Sequence, residues 1–179
     1  MAAAGFMGVS LGFTQHAAAE PVQQGTMILA AERMAGFALY LGNGNAEGSV
    51  TLFNPLFSPF AYQFPRVGFD YFVIDGLSIG GHAGVSHFYN TTVLTFLPRV
   101  GYAFSLSDTI DFWPRGGVGY LGLDGGGGMT HVAFLNFEGM FLWNFIEHAG
   151  LEFGPTLDVG LTDGGHTELG GNLGIFARF

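Results

Sequence analysis

From about residue 26 onward the chain alternates. In "FPRVGFDYFVIDG", Val67, Phe69, Tyr71 and Val73 share one parity, and Arg66, Gly68 and Asp70 share the other. In "VLTFLPRVGYAFS", Leu94, Phe96, Val100, Tyr102 and Phe104 stand opposite Thr95, Arg99, Gly101, Ala103 and Ser105. In "LEFGPTLDVG", Leu151, Phe153, Leu157 and Val159 stand opposite Glu152, Gly154, Thr156 and Asp158. The final segment, "GGNLGIFARF", sets Leu173, Ile175, Ala177 and Phe179 against Gly170, Asn172, Gly174 and Arg178, with Phe176 as the exception. A period of two puts successive side chains on opposite faces of a β-strand. The pattern predicts eight strands, near 28–42, 63–74, 77–89, 92–105, 109–123, 130–143, 147–160 and 167–179.

The connections alternate too. "IDG" at 74–76, "SLSD" at 105–108 and "WNFIEH" at 143–148 are tight. Between them lie longer segments: "GNGNAEGSVTLFNPLFSPFAY", "FYNTT", "LDGGGGMT" and "LTDGGHTE", most of them rich in loop-forming residues. An even strand count puts all the tight turns and both ends of the predicted barrel on one side. "PRVGF" at 65–69 and "PRVGY" at 98–102, each running to an Asp ten residues on from its proline, repeat one strand-plus-turn unit.

Composition says which face is which. Hydrophobic residues make up 49% of the 179, with 20 Phe and 31 Gly; charged residues make up 11%, and lysine is absent. A typical soluble domain carries roughly 25% charge. No apolar run is long enough for a spanning helix. Apolar, aromatic, glycine-rich and strand-patterned is the profile of a membrane β-barrel. On that reading Phe69, Tyr71, Phe96, Tyr102, Phe104, Phe112, Tyr120, Phe137, Phe141, Phe153, Ile175 and Phe179 meet lipid. Arg66, Asp70, Arg99, Asp111, Arg115, Glu138, Glu152, Asp158 and Arg178 then form an inward charge network. The reverse choice would turn four arginines to lipid at about 2–4 kcal/mol each near the midplane, a total comparable to the stability of a whole domain. Tyr71, Tyr102, Phe104, Phe141 and Trp143 lie towards the tight turns, as an interfacial aromatic girdle would. By parity Arg33 points outward, in the headgroup zone, unless a bulge resets the register there. His87 and His131 also fall on the outward parity, near the loop ends. Closure makes the first and last strands neighbours and suggests Glu32 as the partner of Arg178.

Charge and cysteine content exclude several classes. The net charge of −9 argues against nucleic acid. The absence of cysteine removes disulfides, thiolate metal sites and cysteine nucleophiles. At the start, an apolar stretch from Ala2 to Phe13 precedes Ala17-Ala18-Ala19, a signal-peptide pattern without its usual basic start. The division expected is therefore 1–19 as signal peptide and 20–179 as barrel.

The chain resembles the small bacterial outer-membrane β-barrels, the membrane domain of outer membrane protein A and its relatives. The resemblance rests on residues 26–179: eight amphipathic strands, alternating turn lengths and a closing strand "LGGNLGIFARF". It implies an eight-stranded antiparallel up-and-down transmembrane barrel in the outer membrane, with periplasmic termini. It also implies recognition of the Phe179 end by the barrel-assembly machinery, with Leu173 and Ile175 as supporting positions. It does not imply one activity, because barrels of this shape serve as anchors, adhesins, pores and lipid-modifying enzymes.

Candidate chemistry is sparse. Ser86 and His87 are adjacent and face opposite ways in a strand; His82 and Ser86 share a face but lie four residues apart. Lipid-A deacylase barrels carry a His-x-Ser pair that is missing here. "DGGGG" at 124–128 lacks the Gly-Lys-Ser/Thr of a phosphate loop. Asp163, His166 and Glu168 match no strong metal spacing. "NPLFSPFAYQFP" is apolar for a loop and could fold over the rim or touch a partner. The expectation is a non-enzymatic, monomeric envelope protein without cofactor or metal. Its partners are outer-membrane lipid and the assembly machinery, and its lumen is filled by ion pairs because eight-stranded barrels have side-chain-filled interiors. The alternatives are a narrow ion channel or porin gated by the inner Arg–carboxylate pairs, a lipid-modifying enzyme, and a soluble lipocalin-like binder.

Overall fold

A computed structural model describes residues 22–42, 45–52, 62–88, 90–125, 127–162 and 166–179. The expected signal segment, Asp163 and the "NPLFSPFA" stretch lie outside these. Ten strand segments are present: β1 (Met27–Gly42), β2 (Asn45–Leu52), β3 (Arg66–Ile74), β4 (Leu77–Phe88), β5 (Thr91–Tyr102), β6 (Phe104–Ser107), β7 (Ile110–Asp124), β8 (Met129–Ile146), β9 (Ala149–Gly160) and β10 (Thr167–Arg178). Neighbours pair antiparallel, and β10 pairs with β1, so the sheet closes on itself.

The segments make eight staves. β2 and β3 occupy one stave in line: β2 pairs with the upper half of β1, from Gly42↔Asn45 to Ala35↔Leu52, and β3 with the lower half, from Glu32↔Arg66 to Met27↔Tyr71. β5 and β6 likewise share a stave against β7, interrupted at Ala103, whose N–H turns aside to donate to the Gly76 carbonyl. The stretch 42–62 is thus not one long loop: "NAEGSVTL" is strand, its alternation blurred by small and polar residues. β8 also runs three residues past its predicted end, and the turn is Glu147–His148.

Where the second stave divides, β1 bulges. Ala31 pairs with Ile175 and Ala35 with Leu173, so two extra residues are inserted. An even insertion leaves the parity above and below unchanged. Within it Arg33 adopts φ 52°, a left-handed conformation uncommon for a residue with a Cβ. The result is that Glu32 and Arg33 are both buried inside, and the outward placement of Arg33 is corrected. A bulge does occur there; it brings in two consecutive charges without changing the parity of the flanking segments.

The outer wall is apolar. Leu29, Phe37, Val67, Phe69, Val100, Phe137 and Ile175 are among its exposed side chains. The interior is layered. At the tight-turn end lies a cluster of Val22, Ile28, Ala30, Phe72, Ala103, Trp113, Leu142 and Phe176. Phe176, the exception in the closing strand, is inward because it belongs to this cluster. Residues 22–26 close it from below: Gly76 N–H donates to Val22 O, Gln24 N–H to Asp75 Oδ1, and Gly25 N–H to Phe72 O. At the other end Tyr62 and Phe64 reach in to join Val93, Leu97, Leu121, Val132 and Phe134. Between the two clusters lie the charges.

Candidate functional site

The middle layer is built from inward positions on several staves, two of them on each of β1, β3, β8 and β9. Two carboxylates act as hubs. Glu32 on β1 lies 2.9 Å from Arg66 Nε, 3.2 Å from Arg115 and beside Arg99. Glu138 on β8 lies 2.6 Å from Arg115 Nε, 3.2 Å from Arg33, 3.6 Å from Arg99 and against Arg66. Asp70 takes a two-pronged hydrogen bond from Arg99, through Nε and one terminal nitrogen. Asp158 lies 2.9 Å from Arg33 and accepts from Asn136 Nδ2 at 2.8 Å. Glu152 lies 3.4 Å from Arg115. All of these side chains are almost fully excluded from solvent. In so apolar a setting each charge needs its partners, since an uncompensated buried ion costs several kcal/mol.

Some groups that parity did not single out complete the layer. Trp113 lies under the guanidiniums: Arg115 sits 4.5 Å and Arg99 5.8 Å from its ring centre, and its Nε1–H donates to Ser78 Oγ at 3.1 Å. His82, inward as expected, comes within 3.7 Å of Glu32. Glu168 is fully buried near Asp158, its cross-strand neighbour, and 3.5 Å from His166. Their inward parity was readable; their convergence depends on barrel closure, which strand patterns do not encode. The layer needs room, and Gly68 shows how it is made: a Cβ there would lie 2.2 Å from Glu32 Oε1.

The expected pairing of Glu32 with Arg178 is not made. Arg178 lies 2.7 Å from Asp111 at the tight-turn rim, where Asp111 also accepts from Ser105 Oγ and Asn144. Arg178 pairs with Ile28, and Glu32 lies four residues further up β1, at the level of Arg66. Asp111 and Arg178 thus form a separate pair, while Arg66, Asp70, Arg99, Arg115, Glu138, Glu152 and Asp158 converge with Glu32 and Arg33.

At the upper mouth Tyr62 spans two elements. Its ring lies 4.8 Å from those of both Phe134 and His166 in tilted contacts, and its carbonyl accepts from Arg33. Burial pushes its phenol up to about 12, so the ring is neutral at physiological pH. On the outer wall, Tyr71, Tyr102, Phe104 and Trp143 sit exposed towards the tight turns. Phe141 lies higher than expected, five residues from the end of β8, in a row with Phe112 and Phe153. His87 and His131 lie near strand ends at the long-loop side, bonded to Thr92 and Tyr120 respectively. Ser86 and His82 remain four residues apart on β4. Among the described residues no group of three or more His, Asp or Glu is arranged to hold a metal.

The fold and this lumen define a class: closed eight-stave barrels with apolar walls and polar interiors. Solved structures of that shape are similar to this chain. The N-terminal β-barrel domain of Pseudomonas aeruginosa OprF matches with a TM-score of 0.59 at 15% identity, covering 87% of this chain and 98% of that one. Ail, the attachment invasion locus protein of Yersinia pestis, matches with a TM-score of 0.55 at 11% identity, covering 88% and 100%. Neisserial surface protein A matches with a TM-score of 0.55 at 14% identity, covering 87% and 98%. These likenesses show the fold. No protein-family profile matches the sequence, and no curated protein does.

Proposed function

We propose that this chain is an integral outer-membrane barrel with a closed lumen, a structural and surface-contacting protein of the bacterial envelope. The observation that carries this reading is the inversion of the barrel: buried arginine–carboxylate layer inside, exposed phenylalanines outside. In water that arrangement exposes apolar wall on every stave; in a bilayer it is the arrangement expected. The likeness to envelope barrels supports it. Tight turns and termini face the periplasm, the longer connections face outward, and the Phe179 end is what the assembly machinery reads. The barrel acts as a monomer surrounded by outer-membrane lipid, with no enzymatic role.

The layering of the interior, two apolar clusters with the charges between them, supports the closed-lumen reading. An ion would have to pass both apolar clusters and dehydrate among paired charges. Planar-bilayer recording of the refolded protein tests this: silent membranes are expected, and regular unitary steps would overturn the closed-lumen reading. One observation favours a gated cation path as the second reading. The middle layer holds Glu32, Asp70, Glu138, Glu152, Asp158 and Glu168 against four arginines, so its formal charge is negative. Steps in the native protein that Arg99→Ala enlarges select that alternative.

A further inference from the structure

The outer wall is not uniformly studded with large side chains. Pro114 on β7 pairs with Gly139 on β8, and Pro155 on β9 pairs with Gly171 on β10. Gly139 and Pro155 also approach each other, since a Cβ on Gly139 would lie 3.5 Å from Pro155 Cγ. Pro114, Gly139, Pro155 and Gly171 therefore make one low row across four adjacent staves. Large apolar residues rise on both sides. On the tight-turn side Leu173 pairs with Phe153, Phe153 with Phe141, and Phe141 with Phe112. On the other side Leu169 pairs with Leu157 and Leu157 with Phe137. The furrow between them comprises two depressions of about 710 and 520 Å³ that meet at Pro155. Tyr102 and Leu77 line its lower end, and the Phe37 ring lies across Gly171 at its upper end.

We propose that this furrow seats one acyl chain of a phospholipid from the leaflet at the tight-turn end of the barrel. The inference rests on the membrane reading above, because the furrow is continuous with the wall that reading places in hydrocarbon. Its dimensions fit one leaflet. Five inter-strand steps from Tyr102 to Phe37 at about 4.8 Å each give a path of roughly 24 Å. Strands tilted by about 45° put a row across them at a similar angle, so the path climbs about 17 Å, close to half of a hydrocarbon core about 30 Å thick. Its lower end opens beside the Asp75–Gly76 turn, where a headgroup would lie, and Phe37 closes the end nearest the midplane. The width selects a chain over a protein element. The two walls stand four residues apart along each strand, about 14 Å between backbones, and the rings of Phe137 and Phe141 fill much of that. A helix needs about 10–12 Å clear. The lining is apolar, with no charge or hydroxyl projecting from the row between Pro114 and Gly171.

Gly139 permits a clean test, because a Cβ there meets only ordinary contacts with Phe112 and Pro155. Full-length protein is refolded in maltoside micelles with a small mole fraction of palmitoyl-oleoyl phosphatidylethanolamine and examined by native mass spectrometry. Heat-modified gel mobility confirms that each variant is folded. The native barrel and a Val118→Phe control, which adds bulk on exposed wall outside the furrow, are expected to retain one lipid after detergent is stripped. In Gly139→Leu retention is expected to be about tenfold weaker. Equal retention in folded Gly139→Leu overturns the furrow, as does a dimer peak in place of the lipid adduct. A chain that stays folded and monomeric in detergent-free buffer instead overturns the membrane reading.

Discussion

Glu32 and Arg33 are consecutive in the chain, yet both point into the lumen and reach the same carboxylate–guanidinium layer: Glu32 binds Arg66, Arg99 and Arg115, and Arg33 binds Glu138 and Asp158. A regular strand would have sent one of them into the wall. The two-residue bulge in β1 makes the pair possible, and the left-handed φ of Arg33 is the conformational cost of it.

That relationship predicts a rank order at position 33. Arg33→Gly relieves the backbone, worth about 1 kcal/mol, but takes the guanidinium from Asp158, while Glu138 keeps Arg66, Arg99 and Arg115; breaking a buried pair from one side costs about 3–5 kcal/mol. The glycine variant is therefore expected to be less stable than the native barrel. Urea unfolding in micelles, followed by gel mobility, checks the order. A glycine variant as stable as native would show that the ion pairs of Arg33 contribute little.

Glu138 is the hub that touches the most arginines. Glu138→Gln keeps the shape and removes the charge, leaving Arg33, Arg66 and Arg115 short of a partner. A loss of about 3–5 kcal/mol is expected, read from the shift in urea midpoint. Arg178→Ala, at the half-open rim with its side chain 23% exposed, is expected to cost about 1 kcal/mol or less. The contrast between the two is the measurement: equal shifts would mean that the middle layer is wetter than its burial indicates.

Gly68→Val tests the spacing of the layer. Its side chain would enter the space held by Glu32 and Arg99. Overpacking of this kind typically costs about 1–3 kcal/mol. The expected outcome is a folded but less stable barrel, and an unchanged midpoint argues that Glu32 has an alternative seat.

The two tryptophans report which side of the wall faces lipid. Trp113 is fully buried in the lumen and Trp143 is 46% exposed on the outer wall. In vesicles containing brominated lipid, Trp143 fluorescence in a Trp113→Phe variant is expected to be strongly quenched. Trp113 in a Trp143→Phe variant is expected to be nearly unaffected. Quenching of Trp113 alone would reverse the assignment of faces.

The alternation of Val67 to Val73 and of Leu94 to Phe104 was enough to read the strands and their two faces, because period two is a local property. It also placed Arg66, Asp70, Arg99, Asp111 and Arg115 on the inner parity. What local pattern could not carry was anything that depends on a strand's neighbours. In "AAERMAG" the mark of the bulge is Arg33 on the outward parity; the size of the insertion is not legible, since an even one leaves the alternation intact on either side. The division of one stave into β2 and β3, the entry of Tyr62 and Phe64 into the mouth, and the choice of Asp111 over Glu32 as the partner of Arg178 are all set by closure. The Pro–Gly row on the wall was visible as single residues; only the register aligned them.

Met27 and Phe179 exchange two hydrogen bonds, each N–H donating to the other's carbonyl at 3.0 Å. The residues that bound the barrel are thereby as firmly paired as any two in the middle of a stave. The finished ring keeps no record of the order in which its staves were threaded. A chain joined between Phe179 and Val22 by a short linker and reopened at the exposed Glu147–His148 turn would have the same inter-stave pairs available, with β9 as its first strand.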